Sequence, residues 1–334
     1  MTAGGGGERP RPAGDDAVLP FEVAPLDVRG RAIQMGPAID ALLARHAYPD
    51  VVARLVGEAV VLAVLLGSSL KFDGRFILQT ETDGAVDMLV ADYRTTGAVR
   101  AYARYDKARV AEAVAAGDAD PAALLGRGTL AMPIDPGGWM SRYQGVVPLE
   151  GQGLENAAHT YFRQSEQIPT RVRLAVGEII QRDGGTMQRA WRAGGLIVQF
   201  LPEAPERMRQ GDLPGGDAPV GTDIAVGDAD DAWVEAQAIV GTVEDHELTD
   251  PAVPVERLLF RLFHERGVRV FTPLAITDDC SCSRERIAEM LSRFSAEEIA
   301  ESVEDGRIVV TCEFCGTRYP FDPAELAGGA DDDP

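Results

Sequence analysis

Four cysteines constrain the fold of this chain more than any other feature. The sequence has 334 residues, and all four of its cysteines lie in the last 55. They form a C-x-C pair, Cys280 and Cys282, and a C-x-x-C pair, Cys312 and Cys315, with 29 residues between the pairs. That separation is long enough for the chain to return the second pair to the first. The sequence therefore predicts one Zn²⁺ per chain, bound in a tetrahedral site by these four thiolates.

The N-terminal sequence predicts an environment in which these thiols stay reduced. The stretch MTAGGGGERPRPAGDDAVLP has glycine and proline where a signal peptide would need an apolar core. The longest apolar run, residues 59–67, is about half the length that crosses a bilayer. We therefore expect a cytoplasmic protein that does not associate with membranes, where metal thiolates are favoured over structural disulfides.

Composition predicts an ordinary globular protein that is not a general nucleic-acid binder. Hydrophobic residues make up 45% of the chain and charged residues 25%, and its length allows two domains. The formal net charge is −21, whereas phosphate contacts require clustered lysine and arginine. This charge also argues against a zinc-ribbon module that binds RNA.

Hydrophobic patterning predicts an α+β fold, in which an N-terminal β-sheet domain with packed helices occupies residues 21–202. A disordered tail over residues 1–20 is expected to precede it. A core helix starts at Pro49, and an antiparallel meander of three strands covers residues 75–105. Further strands are expected at residues 128–134, 143–148, 171–177 and 190–201, with a helix at residues 154–167.

Residues 203–265 are expected to form a helical and flexible linker. Its first part, 203–231, is rich in glycine, proline and acidic residues and cannot bury enough apolar surface to order itself. Two amphipathic helices follow, at 231–243 and 255–265. Their apolar faces need a partner surface, and the sheet of the first domain is the expected one.

A small C-terminal zinc domain with four cysteine ligands is expected at residues 266–327, before an acidic tail at 328–334. Ser283 can cap one helix, and Ser295 begins a capping box for another. A domain of this size has a thin hydrophobic core. Bound metal would therefore supply much of its folding free energy.

The cysteine spacing leaves three functions open. A purely structural zinc site would use the metal only to stabilise the domain. A redox switch would use the same thiolates as reactive groups, because oxidation to two disulfides expels the metal. A thiol–disulfide oxidoreductase usually presents one C-x-x-C at a helix N-terminus, whereas the C-x-C partner here matches a four-ligand site. Of the three possible disulfide connectivities, Cys280–Cys282 with Cys312–Cys315 closes the smallest loops.

The residues around the cysteines are more specific than their spacing, and they resemble the redox-regulated chaperones of the heat-shock protein 33 family. The similarity extends from about Val23 to Phe321. The segments that carry it are Asp279-Cys-Ser-Cys-Ser-Arg-Glu285, Val310-Thr-Cys-Glu-Phe-Cys315, Tyr319-Pro-Phe321, Ala193-Gly-Gly-Leu-Ile-Val-Gln-Phe-Leu-Pro202, Leu70-Lys-Phe-Asp-Gly-Arg75, Leu78-Gln79, Ala91-Asp92, Arg100-Ala-Tyr-Ala103 and Leu258–Glu265.

The resemblance implies a holdase that is not an enzyme and is controlled by oxidation. It implies that Cys280, Cys282, Cys312 and Cys315 bind zinc in a reduced, inactive monomer. Oxidation would release zinc and unfold the zinc domain and the adjoining linker. The exposed apolar surface would bind unfolding client proteins without ATP, and the chain would form a homodimer. The N-terminal tail, the length of the 203–231 stretch and the strongly negative charge depart from the family pattern.

Overall fold

The structure is a computed structural model that describes residues 14–71, 73–136, 143–183, 186–202 and 230–326. In this part of the chain the strands are β1 (Ala17–Val23), β2 (Val28–Met35), β3 (Arg75–Thr82), β4 (Val86–Arg94), β5 (Ala98–Tyr105), β6 (Arg127–Asp135), β7 (Tyr143–Glu150), β8 (Thr170–Asp183), β9 (Thr186–Phe200), β10 (Arg269–Val270), β11 (Leu274–Ala275), β12 (Thr277–Asp278), β13 (Ile308–Thr311) and β14 (Arg318–Phe321). The helices are α1 (Pro37–Ala44), α2 (Asp50–Gly67), α3 (Lys107–Ala116), α4 (Pro121–Leu125), α5 (Leu154–Tyr161), α6 (Asp231–Gly241), α7 (Asp245–Thr249), α8 (Val255–Phe263), α9 (Arg284–Leu291), α10 (Ala296–Glu301) and α11 (Pro323–Leu326).

Two six-stranded sheets form the body of the protein, so the expected α+β fold with its N-terminal sheet domain is confirmed. The first sheet has the order β10-β1-β2-β9-β8, and β11 also pairs with β1. The second has the order β12-β5-β4-β3-β6-β7 and contains the expected meander of β3, β4 and β5. The pair of β12 with β5 is parallel, whereas β13 and β14 form a separate antiparallel hairpin.

Helix α2 lies in the main core, in contact with both sheets. It is apolar nearly all round, and its side chains from Val52 to Leu66 are buried except on a narrow side. Gly195 on β9 permits the close approach, because a Cβ there would lie 2.5 Å from Val61 Cγ1. A helix this apolar is stable only when it is enclosed. It therefore fixes how the sheets are arranged.

The linker helices cover the opposite face of the first sheet, as their amphipathic patterns predicted. Alternate side chains of a strand point to opposite faces, so Ile197 packs with α2 whereas Leu196 and Val198 pack beneath the linker helices. The buried linker side chains on this face are Trp233, Ala236, Val240, Val243, Leu248, Val255, Leu258, Leu259, Leu262 and Phe263. Each large side chain contributes about 1.5–3 kcal/mol through burial, so the sheet and the linker stabilise each other.

Polar contacts fix the turn between α7 and α8 on the sheet. Gln34, which is buried on β2, donates a hydrogen bond from Nε2 to the Val253 carbonyl at 2.8 Å. Arg192, which is also buried, donates from Nε to the Thr249 carbonyl at 3.2 Å and forms an ion pair with Asp15. Buried side chains of this kind need partners, and here the linker backbone supplies them.

Several elements differ from the sequence expectation, which included no helix at the positions of α1, α3 and α4. Strand β1 begins at Ala17, inside the stretch 1–20 that was predicted as a tail, because Val18 and Leu19 are buried on opposite faces of the first sheet. Strands β10 to β12 lie within the predicted zinc domain, at residues 269–278, but pair with the sheets of the first domain. Such two-residue strands have no sequence pattern of their own. Parts of three predicted segments lie outside the described residues: 1–13 of the N-terminal tail, 203–229 of the linker, and the acidic tail with residue 327 before it.

Candidate metal centre

The first cysteine pair lies in the loop between β12 and α9. Ser283 caps α9, since its side chain accepts a hydrogen bond from the Arg286 amide at 3.3 Å. Arg286 also donates from Nη1 to the Ser281 carbonyl, which lies between the two cysteines, at 2.7 Å. The predicted helix cap is therefore confirmed, and the arginine one turn into the helix holds the C-x-C backbone in place.

The second cysteine pair lies in the tight turn between β13 and β14. The Cys312 amide donates to the Thr317 carbonyl at 2.9 Å, and the Gly316 amide donates to the Cys312 carbonyl at 2.8 Å. Gly316 has a φ of +69°, a conformation that favours glycine. The turn therefore directs both thiols to the same side of the hairpin end.

The structure brings all four sulfur atoms together. Each Sγ lies within 4.8 Å of every other. The Cys280 and Cys312 sulfurs are 3.7 Å apart, and the Cys282 and Cys315 sulfurs are 3.3 Å apart. Zn–S bonds of about 2.3 Å in a tetrahedron place the sulfurs roughly 3.8 Å apart. These four residues therefore fit a zinc ion, and their donor set is the one that zinc prefers in closed sites.

Neighbouring polar groups give the thiols unequal acidities in the absence of metal. Burial raises the pKa of Cys282 to about 12, although the Tyr319 hydroxyl, 3.1 Å from its Sγ, opposes that rise. Burial also acts to raise the pKa of Cys315, but hydrogen bonding with Thr317 outweighs it and lowers that pKa to about 7. Cys315 therefore becomes a thiolate at lower pH than Cys282 does, and the thiolate is the form that binds metal and reacts with oxidants.

The cysteine module, residues 279–326, has little hydrophobic core of its own among the described residues. Leu291, Ile308 and Phe321 are its buried apolar side chains, with partly buried neighbours such as Ile287 and Ile299. Arg284 stacks on the Phe321 ring at 4.3 Å and pairs with Glu325 at 2.8 Å. Three buried side chains cannot hold a module of this size together, so a metal at the thiols would be its main stabilising element.

The sequence assigned no role at the thiols to several residues that lie beside them. Tyr319 and Arg100 belong to segments that carry the family resemblance, and Thr317 was not singled out. Arg100 lies on β5 of the first domain, and its Nη1 is 3.8 Å from Cys280 Sγ. Because its partner is 180 positions away in the chain, no local pattern could have placed it beside the thiols.

Comparison with known proteins agrees with this architecture, a two-sheet α+β domain joined to a four-cysteine module. The family described as "Hsp33 protein" matches residues 16–322. The 33 kDa chaperonin of Caulobacter vibrioides is 46% identical over 312 residues, which cover 92% of this chain and 95% of that protein. The 33 kDa chaperonin of Vibrio cholerae is 34% identical over 303 residues, covering 90% and 91%.

A solved structure has the same fold. The crystal structure of the 33 kDa chaperonin of Thermotoga maritima, a heat shock protein 33 homologue, superposes with a TM-score of 0.70 at 21% sequence identity. The superposition covers 93% of this chain and 97% of that one. The protein is thus of the chaperone class that these relatives define. The chain belongs to the Hsp33 family.

No helix in the described part of the chain combines the length and the apolar character that crossing a bilayer requires.

Proposed function

We propose that this protein is an ATP-independent holdase chaperone that is inactive when reduced and zinc-bound and active when oxidised. The observation that carries the proposal is the cluster of four cysteine sulfurs, all within 4.8 Å of one another, in a chain of a chaperone family. The same thiolates that would hold zinc are the groups that oxidants attack.

The switching reaction converts four thiolates into two disulfides. Two molecules of hydrogen peroxide would accept four electrons from the four thiolates, which would give two disulfides and four hydroxide ions and would leave no thiolate to hold Zn²⁺. We propose Cys280–Cys282 and Cys312–Cys315 as the disulfides. This pairing closes the smallest loops. The short distances of 3.7 and 3.3 Å join Cys280 to Cys312 and Cys282 to Cys315, but every sulfur lies within 4.8 Å of the others, so pairing of neighbours also needs only small movements.

Loss of zinc would reach the linker through the segment between α8 and the cysteines. This segment contains β10 to β12, which hold only two residues each. Once the module that follows them unfolds, strands this short lose their anchor. The linker helices would then leave the first sheet and expose the apolar faces of both. These faces would bind unfolding client proteins, and a second copy of the chain would cover part of them in an oxidised homodimer.

In its reduced form we propose a cytoplasmic monomer with one Zn²⁺. The two alternatives, a structural zinc site and a thiol–disulfide oxidoreductase, use the same cysteines and differ in what oxidation does. A structural site would show equal chaperone activity in both states. An oxidoreductase would reduce or oxidise a dithiol substrate catalytically.

The deciding experiment compares suppression of client aggregation by the reduced, zinc-loaded protein and by the protein treated with peroxide at mildly elevated temperature. We expect zinc release of about one ion per chain and strong suppression only after oxidation. The variant with all four cysteines replaced by serine is the control for direct effects of peroxide. Equal activity in both states of the wild-type protein contradicts the proposal. So does catalytic turnover of a dithiol substrate without stoichiometric zinc loss.

A further inference from the structure

One arginine of the first domain contacts the cysteine module at two points. Arg100 lies on β5, and its guanidinium stacks on the ring of Phe314 at 4.1 Å. Its Nη1 is 3.8 Å from Cys280 Sγ, within hydrogen-bonding range of a sulfur acceptor. Phe314 lies between the two cysteines of the second pair, so Arg100 contacts a cysteine of the first pair and the turn that carries the second pair.

The other side of Arg100 is fixed to the first domain. Its Nε donates to Asp92 Oδ2 at 2.8 Å, and Asp92 also accepts from Arg75 on β3. The Asp92 side chain is only 2% exposed and that of Arg100 16%. Because one carboxylate is shared by two guanidinium groups, the group formed by Asp92, Arg75 and Arg100 has a net charge of +1. The charge is directed at the sulfurs by a side chain that has little freedom to move.

A second contact holds the backbone of the same turn. His46 Nε2 lies 3.0 Å from the Phe314 carbonyl oxygen, and the His46 ring stacks on Tyr48 with centroids 5.1 Å apart. Nearby, the amides of Thr277 and Asp279 donate to the Gly97 and Val99 carbonyls at 2.9 and 3.2 Å. Gly97 and Val99 lie three residues and one residue before Arg100 in the chain. Arg45 also pairs with Asp278, so the module is attached to the first domain through Arg100, His46, Arg45 and the backbone of β12.

The charge of the four-sulfur cluster changes with its oxidation state. Four thiolates with one Zn²⁺ have a formal charge of −2, and a thiolate accepts a charge-assisted hydrogen bond from a guanidinium. When Cys280 and Cys282 lose two electrons to peroxide and form a disulfide, the Cys280 sulfur becomes a neutral and weak acceptor. Arg100 then keeps Asp92 but loses its charged partner on the module.

We propose that Arg100 is a positioning residue that couples the charge of the Cys280 thiolate to attachment of the cysteine module on the first domain. Oxidation weakens this attachment directly, in addition to any unfolding of the module. The inference rests on the proposed redox switch. It identifies Arg100 as the residue of the first domain whose contact with the module depends on the oxidation state of the thiols.

The test measures amide hydrogen exchange of the peptide containing Thr277 and Asp279 in the full-length protein, with zinc content checked for each sample. Arg100→Met keeps an apolar contact with Phe314 but removes the charge, whereas Arg100→Lys keeps the charge and loses the planar stack. Arg75→Met is the matched control, because Arg75 pairs with the same carboxylate from the strand on the far side of β4.

In the reduced, zinc-loaded state we expect Arg100→Met to speed this exchange about tenfold, since a hydrogen bond to a charged group is lost. Arg100→Lys should stay close to wild type. Arg75→Met should have a much smaller effect than Arg100→Met, because it lowers the net charge beside the sulfurs but leaves the Arg100 contacts with Cys280 and Phe314 in place. After peroxide oxidation, all four proteins should exchange at the same rate.

Three results overturn the inference. They are an Arg100→Met effect no larger than that of Arg75→Met, an Arg100→Lys effect as large as that of Arg100→Met, and a difference that persists after oxidation. The exchange experiment contains no client protein, so it can fail while the aggregation assay succeeds. The reverse outcome is equally distinguishable.

Discussion

At the scale of single residues, the thiols depend on side chains that are not ligands. The Tyr319 hydroxyl lies 3.1 Å from Cys282 Sγ and can donate to the thiolate. Hydrogen bonds of this kind orient ligands and stabilise the deprotonated form that binds metal. Their loss therefore weakens a metal site without removing any ligand.

Tyr319→Phe should lower zinc affinity roughly 10-fold, as is typical for loss of a residue that supports a ligand. The measurement is competition with a zinc-binding dye in the reduced protein. Tyr105→Phe, on β5, controls for the loss of a tyrosine hydroxyl elsewhere. An unchanged affinity would show that this hydroxyl does not support the Cys282 thiolate.

A glutamate on α2, Glu58, makes the free energy of unfolding depend on pH. Burial, together with the nearby charges of Glu155 and Asp245 and against the opposing effect of Arg54, raises the pKa of Glu58 from 4.5 to about 8. Below pH 4.5 the acid is protonated in both the folded and the unfolded chain. Above that value the unfolded chain releases the proton while the folded protein keeps it until about pH 8, so the free energy of unfolding falls across this window.

Glu58→Gln should remove this dependence, because an amide does not titrate. Relative to wild type, its free energy of unfolding should rise between pH 5 and pH 8 by up to about 1.4 kcal/mol per pH unit. Denaturant titrations of the reduced protein at several pH values measure it. Glu112→Gln, at an exposed position of α3, is the control. A constant difference at all pH values contradicts the raised pKa.

At the scale of elements, two adjacent glycines allow helices to pack on both faces of β9. A Cβ at Gly194 would lie 2.0 Å from the Leu248 carbonyl oxygen on α7, and one at Gly195 would lie 2.5 Å from Val61 on α2. Since neighbouring residues of a strand face opposite sides, Gly194 allows the linker helix α7 to approach one face and Gly195 allows the core helix α2 to approach the other. This explains the glycine pair in the motif that begins at Ala193.

Gly194→Ala should push α7 away from the sheet, because the clash is with backbone that cannot rotate aside. We expect increased aggregation suppression by the reduced, zinc-loaded variant, with zinc still bound. Gly195→Ala is the matched control, in which the clash lies in the main core. It should lower the melting temperature without activating the reduced protein. If both variants behave alike, the two glycines do not separate linker packing from core packing.

At the scale of the whole molecule, the linker lies between the apolar sheet and the redox site. Its helices cover the first sheet, and the short strands after α8 join that sheet to the cysteines. Trp233 on α6 is 7% exposed and packs against Phe200 of β9, with ring centroids 6.0 Å apart. The fluorescence of Trp233 therefore reports whether the linker helices are packed on the first sheet.

In a Trp139→Phe, Trp191→Phe background, the fluorescence of Trp233 should shift to longer wavelength when peroxide expels zinc. Acrylamide should quench it more strongly, because the indole becomes exposed to water. Zinc release is followed in the same sample with a chromogenic chelator. Loss of zinc with no change in emission would falsify the proposed release of the linker.

Much of this molecule could be predicted from local patterns. The capping residues Ser283 and Ser295 were assigned correctly, because a cap depends on residues within one turn. The meander of β3 to β5 and the apolar helix α2 were expected for the same reason. By contrast, the two-residue strands β10 to β12 were missed, since their pairing partners lie far away in the sequence. The start of β1 was missed because it directly follows a stretch rich in glycine and proline.

The sequence by itself determined the family, the α+β class and the four cysteines, because motifs, periodicity and ligand spacing are written in neighbouring residues. Only the tertiary structure decided that the four sulfurs lie within 4.8 Å of one another and that Tyr319 and Arg100 lie beside them. It also placed the linker helices on the outer face of the first sheet. These contacts join residues far apart in the chain, and only packing of the folded chain brings such residues together.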